Sequence, residues 1–102
     1  MQGDVWWAEA QGLGRRPMLI VTRSSALPVL SRVLVAPVTR TVRGIPTEIP
    51  LGTGEGLAQA CAASFDNLQP IPRSALVERA GALGARRQPE ICQALAAVAD
   101  CW

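Results

Sequence analysis

The chain contains no histidine and no lysine among its 102 residues. Without His there is no Ser-His or Cys-His dyad, no imidazole acid–base and no His-ligated metal. Ser24, Ser25 and Ser64 therefore have no activating base of that kind. Without Lys, the glycine cluster "GTGEG" at 52–56 cannot end a nucleotide-binding P-loop, and its spacing is not G-x-G-x-x-G. It reads as a turn. The three cysteines, Cys61, Cys92 and Cys101, are odd in number and form no C-x-x-C pair. Cys92 and Cys101 fall on roughly opposite faces of one helix, at ~100° per residue. All three are expected to be reduced and mostly buried, in a cytosolic protein. Apolar runs are too short to span a bilayer. The N-terminus lacks the basic segment and apolar core of a signal peptide, so a cytoplasmic, non-membrane protein is expected.

What is present is arginine. All ten basic residues are Arg, whose planar fork suits phosphate but donates protons poorly. They are unevenly placed. Residues 1–43 carry six Arg against Asp4 and Glu9, and residues 44–102 carry four Arg against six acids. The N-terminal part is thus basic and the remainder acidic.

The length suits one domain, 1–102, with one core and little margin, so pairing with a second copy would help. "DVWWAE" (4–9) reads as a strand, "AQGLG" (10–14) as a loop, and "PMLIVT" (17–22) as a strand covered on both faces. "SRVLVAPVT" (31–39) is a third strand in which Pro37 implies a bulge or an edge. "TEIPL" (47–51), "LAQACAAS" (57–64) and a stretch near 75–80 complete the strands. Pro89 and Glu90 start a helix over 89–101, with Ile91, Leu95, Val98 and Trp102 on one stripe. Many short strands and one terminal helix predict a mainly β, partly open small barrel.

"GRRPMLIVT" (14–22) sets two fixed charges at the lip of an apolar strand. Arg16 precedes Pro17, which pushes its backbone into the extended region, so its long side chain is partly preorganised. Arg15 points elsewhere by alternation. Thr39 ends a strand beyond a proline bend. Asp66 and Asn67 follow "ACAAS" and are expected at the same rim. Together these residues supply a guanidinium fork, a hydroxyl, a carboxylate and an amide, a set that can hold a phosphodiester without metal. Singly, each also reads as a surface counter-ion, a strand residue or a turn. Trp6 and Trp7 are adjacent and face opposite sides of their strand. One is expected in the core and the other nearer the surface, available to a base or a partner.

These stretches, in this order, resemble the MazF/PemK (Kid) family of bacterial toxins. "GDVWWAE" resembles the family's opening Gly-Asp strand. "GRRPMLIVT" resembles its Arg-Pro strand, and "VLVAPVT" its Val-x-Pro-x-Thr strand. "SFDNLQPIPRSALVERAGAL" resembles the segment leading to the final helix. The resemblance implies an SH3-like barrel of antiparallel strands with a C-terminal helix, in a homodimer. It implies metal-independent endoribonuclease action on single-stranded RNA, with no cofactor. It also implies neutralisation by a MazE-like antitoxin with a disordered acidic tail. By motif, Arg16, Thr39 and Asp66 become the catalytic candidates. With RNA as the implied substrate, the charges of Arg15, Arg40 and Arg43 make them the expected phosphate contacts, and Gln11 and Asn67 are expected to contact the RNA beside them. The first loop departs from the family pattern: it is shortened, and Gln11 stands where Glu is expected. A CcdB-like gyrase-binding toxin and a catalytically inactive RNA-binding module are the competing readings; the Arg-Pro and Pro-Val-Thr motifs favour cleavage.

Overall fold

Alternation along β1 (Asp4–Ala10) decides the architecture. Val5 and Trp7 face one side, while Trp6 and Ala8 face the other. Both sides are apolar, so this strand must be covered twice. β2 (Gly14–Ile20) and β3 (Arg32–Thr39) follow the same rule, with Leu19, Ala36 and Val38 on the first side and Met18, Ile20, Val33 and Val35 on the second. The structure, a computed structural model, describes residues 1–10 and 14–99.

The remaining strands are β4 (Glu48–Leu51), β5 (Cys61–Ser64), β6 (Gln69–Pro72) and β7 (Leu76–Ala82). They join one antiparallel sheet in the order β4-β5-β3-β2-β1-β7, with β6 also paired to β3. The sheet curls into a half-barrel. One edge of β3 is shared: Arg32–Val35 pair with β6, and Val38 and Thr39 pair with β5. Pro37, which has no N–H to offer, sits at the handover between the two partners. Pro37 therefore marks neither the bulge nor the edge that was expected, but a break between two partners along one side of an inner strand.

The helix α1 (Pro89–Ala99) packs over the first side. Ile91 and Ala94 are its buried residues and Leu95 packs beside them. Val98 is 41% exposed, so the apolar stripe is narrower than expected, and Trp102 lies outside the described residues. Phe65, Leu19 and Ile49, each under 2% exposed, anchor this larger core. No helix among the described residues is long and apolar enough to cross a membrane.

Four expectations need adjustment. β2 begins at Gly14, because the hairpin pairs Ala10 with Gly14 and leaves only 11–13 between them. The 57–64 stretch is strand only from Cys61. β6, "QPIP", shows no strand signal in sequence, because Pro70 and Pro72 disguise it. It tolerates them as an edge that pairs with β3 alone. Cys61 is buried but Cys92 is exposed, both free, while Cys101 lies outside the described residues.

Candidate functional site

The site arises where a ladder stops. β2 and β3 pair only over Met18–Ile20 and Val35–Pro37. Pro17 lacks the N–H donor toward β3 that would continue it. Counting the register onward from Met18–Pro37 sets Pro17 level with Val38, and Arg16 level with Thr39. A groove of about 440 Å³ occupies this end of the sheet. Trp7, Arg15, Arg16 and Pro17 form one wall, and Val38, Thr39, Arg40 and Thr41 form the second. Leu57, Ala58, Gln59 and Cys61 close the third.

The groove is cationic, and none of its described lining residues is a carboxylate. The side chains of Arg16 and Arg40 have no ion pair or hydrogen bond among the described residues. Arg15 instead pairs with Glu78 and lies over the Trp7 ring, its guanidinium carbon 5.3 Å from the ring centroid. Thr39 Oγ1 accepts the Thr41 backbone N–H at 3.1 Å, which leaves its own O–H to donate. Cys61 sits at the base with its Sγ 3.6 Å from the Leu51 carbonyl. Burial pushes its thiol pKa up, Glu55 adds to this, and Arg40 only partly opposes it. It is therefore a neutral thiol rather than a nucleophile.

The third wall is held from behind. Gly56, at φ 88°, meets Gly81 backbone to backbone. A Cβ on Gly56 would strike the Ala80 carbonyl, and one on Gly81 would strike the Glu55 carbonyl. Glu55 accepts the Gly52 N–H at 2.7 Å and pairs with Arg87 at 3.3 Å. Arg87 also pairs with Glu90 at 2.8 Å and donates to the Pro50 carbonyl at 2.7 Å. The start of α1 thus fixes the loop that precedes Cys61.

Of the sequence-nominated residues, Arg16, Thr39, Arg15 and Arg40 come together in this groove. Arg15 and Arg16 both line it, although alternation set them apart. Arg15 lies over the Trp7 ring, and Arg16 lines the same groove as Thr39. Asp66 and Asn67 do not share the rim. β5 runs antiparallel to β3, so its Cys61 end meets the groove and its Ser64 end lies about 10 Å further on. Beyond Ser64, Asp66 accepts a hydrogen bond from Thr47 Oγ1 at 2.7 Å, and Asn67 Nδ2 donates to Ser64 Oγ at 2.8 Å. Both side chains serve the turn there. The Arg43 side chain is not among the lining residues; its backbone N–H, with that of Gly44, is held by Glu48 at 2.9 and 3.0 Å. Gln11 lies outside the described residues. Sequence reasoning missed Thr41, Gln59 and Cys61. Their signal is the β3–β5 register, which single-sequence patterns do not carry. Among the described residues no three His, Cys, Asp or Glu side chains gather to hold a metal ion.

Comparison with known proteins converges on one family. Residues 1–99 match the family model described as PemK-like, MazF-like toxin of type II toxin-antitoxin system. The chain is 39% identical to the probable endoribonuclease MazF5 of Mycobacterium tuberculosis, over 98% of this chain and 93% of that protein. It superposes on the solved structure of the Mycobacterium tuberculosis toxin MazF-mt6 with a TM-score of 0.87 and 38% identity, covering 95% of this chain and 96% of that one. A mycobacterial endoribonuclease solved in complex with its cognate antitoxin matches with a TM-score of 0.83 and 25% identity, covering 98% and 94%.

Proposed function

The chain belongs to the PemK-like, MazF-like family of type II toxins, and we propose that its residues 1–102 form one toxin domain that cuts single-stranded RNA without metal in the groove between β2 and β3. The observation that carries this reading is that Arg16 and Thr39 line one cationic groove, at the end of the β2–β3 ladder, with no carboxylate among its described lining residues. A phosphodiester is the chemical group that such a set receives best.

The ribose 2′-OH attacks the adjacent phosphorus. The O2′–P bond forms and the P–O5′ bond breaks, which leaves a 2′,3′-cyclic phosphate and a 5′-OH. Arg16 has no ion pair to give up and stabilises the charge that develops on the phosphorane. The Thr39 O–H donates to a non-bridging oxygen and fixes the phosphate. With Asp66 away from the rim, the 2′-OH proton passes to a phosphate oxygen or to solvent, and the departing 5′ oxygen takes a proton from water. Arg40 and Arg15 hold flanking phosphates.

An acidic, disordered antitoxin tail is the partner that the same cationic groove selects, and its binding blocks cleavage. A second copy of the chain is the partner for the opposite side of the sheet. There an apolar hollow of about 340 Å³ is lined by Trp6, Ile20, Leu27, Val33 and Leu76 among others. Action on cellular RNA places the protein in the cytoplasm. The test is incubation with mixed-sequence single-stranded RNA in EDTA, with Arg16→Ala alongside and the product ends analysed. Cyclic phosphate ends, lost in the variant, are expected. Intact RNA with the unaltered protein overturns the reading.

A further inference from the structure

Among the described residues, Trp7 is the one aromatic side chain lining the groove. Three strands fix its surroundings. It lies level with Pro17 on β2 and with Glu78 on β7. Arg15, two residues before Pro17, projects on the same face. The Arg15 side chain crosses from β2 over the indole to Glu78 on β7, with its guanidinium carbon 5.3 Å from the ring centroid. The half-buried indole is therefore anchored beneath by the larger core, and its groove side is covered by an ion pair.

That cover is weak. The Arg15 and Glu78 side chains are 44% and 64% exposed, and pairs so open to solvent contribute about 0.2–1 kcal/mol. A phosphate offers Arg15 a stronger bidentate partner than one solvated carboxylate. An incoming RNA backbone thus competes with Glu78 for the guanidinium, and the ring face that Arg15 leaves is apolar, flat and beside the place where Arg16 and Thr39 hold the scissile phosphate. Bases of single strands are held by stacking on such faces, and stacking tolerates any base. Trp6 turns to the hollow on the other side, where the one charged lining side chain among the described residues, Arg73, is engaged by the Leu27 carbonyl.

We propose that Trp7 is the base-stacking platform of the RNA groove, and that the Arg15–Glu78 pair is its displaceable cover. A phosphate draws Arg15 off Glu78, and a nucleobase replaces the guanidinium on the indole. This rests on the groove binding RNA, and the two ideas fail separately.

The experiment uses the full chain with Trp6→Phe and Trp102→Phe, so that Trp7 is the sole tryptophan. The probe is a mixed-sequence 2′-O-methyl RNA 12-mer, which cannot be cleaved because its 2′ oxygen is blocked. Binding is followed by the anisotropy of a label at its far end, and stacking by Trp7 emission. A saturable loss of emission that tracks the anisotropy is expected. In the same background Glu78→Gln removes the competitor for Arg15 and should tighten binding about two- to fivefold, the range of an exposed ion pair. Binding with unchanged Trp7 emission overturns the stacking. Unchanged or weakened binding in Glu78→Gln overturns the cover. Absence of any anisotropy change overturns RNA binding by the groove itself, and the platform falls with it.

Discussion

Trp6 and Trp7 are neighbours in sequence and opposites in situation. Trp7 stands in a groove with three arginines and two threonines; Trp6 stands in a hollow lined mostly by aliphatic side chains. One sheet separates the two, and its β period alone assigns each indole to its side. The lesson is that burial and residue type do not distinguish them, since both are half-buried and packed on apolar residues. What distinguishes them is the company that the register brings. On the Trp7 side, Pro17 stops the β2–β3 ladder, and donors are left unspent. On the Trp6 side, Ile20, Val33 and Val35 are each at most 2% exposed and leave nothing polar to offer.

The comparison breaks most visibly at Arg16. Arg16→Ala should lower kcat for RNA cleavage about 10²- to 10³-fold, the cost of removing one donor to a developing oxyanion. The thermal midpoint should hold, because the side chain is exposed and unpaired. Arg16→Lys should recover little, since an ammonium lacks the planar fork. Loss of fold in Arg16→Ala, seen by circular dichroism, would make Arg16 a structural residue instead. Thr39→Val comes next. It keeps the shape but removes the O–H, and a hydrogen bond to a charged group contributes about 1.5–3 kcal/mol, or roughly 10- to 100-fold in rate. Thr39→Ser should restore most of it. Equal rates for Thr39→Val and the unaltered protein would leave Arg16 alone at the phosphate.

Trp6→Ala probes the other side. A fully buried Trp truncated to Ala costs about 3–5 kcal/mol. Trp6 is only half-buried, so about 2 kcal/mol is expected, a drop of roughly 10 °C in thermal midpoint. Cleavage by the folded protein, assayed well below that midpoint, should stay within a few-fold of normal. If cleavage collapses while the fold persists, and sedimentation shows monomers, then the hollow serves activity through association with a second copy.

How far the sequence foretold this depends on whether a feature is local. The half-barrel, the closing helix and the placement of Arg16 and Thr39 in one groove were legible because they rest on strongly patterned stretches. β6 was not legible, because a strand of alternating prolines exists only by virtue of the edge it completes. The stripe of α1 was misjudged at Val98, because periodicity states which residues share a face but not how far the covering sheet extends. Arg15 was set apart from Arg16 by alternation, and the register does put it on the Trp7 face. Both line the groove because alternation separates Cβ directions and not the reach of two long side chains. The third wall rests on Gly56 against Gly81 and Glu55 against Arg87. Those contacts join residues far apart in sequence, and no local pattern announces them.

Asp66 is the sharpest case and gives the smallest expected effect. In sequence it follows a strand, as an acidic residue near a rim should. In three dimensions the strand that brings it runs away from the groove. Its carboxylate takes the Thr47 hydroxyl, and Asn67 beside it holds Ser64. Asp66→Asn keeps an oxygen for Thr47 to donate to, so the turn should survive. It removes the carboxylate that the family resemblance nominates as catalytic, a candidate acceptor of the 2′-OH proton. If that acceptor works in the reaction, kcat should fall by the 10²–10⁴ typical of a lost general base. With Asp66 placed at the far end of β5, kcat and KM should instead remain essentially unchanged. A large fall in kcat with an unshifted thermal midpoint would mean that Asp66 reaches a groove other than its own, and the site would then have to be drawn across two copies of the chain.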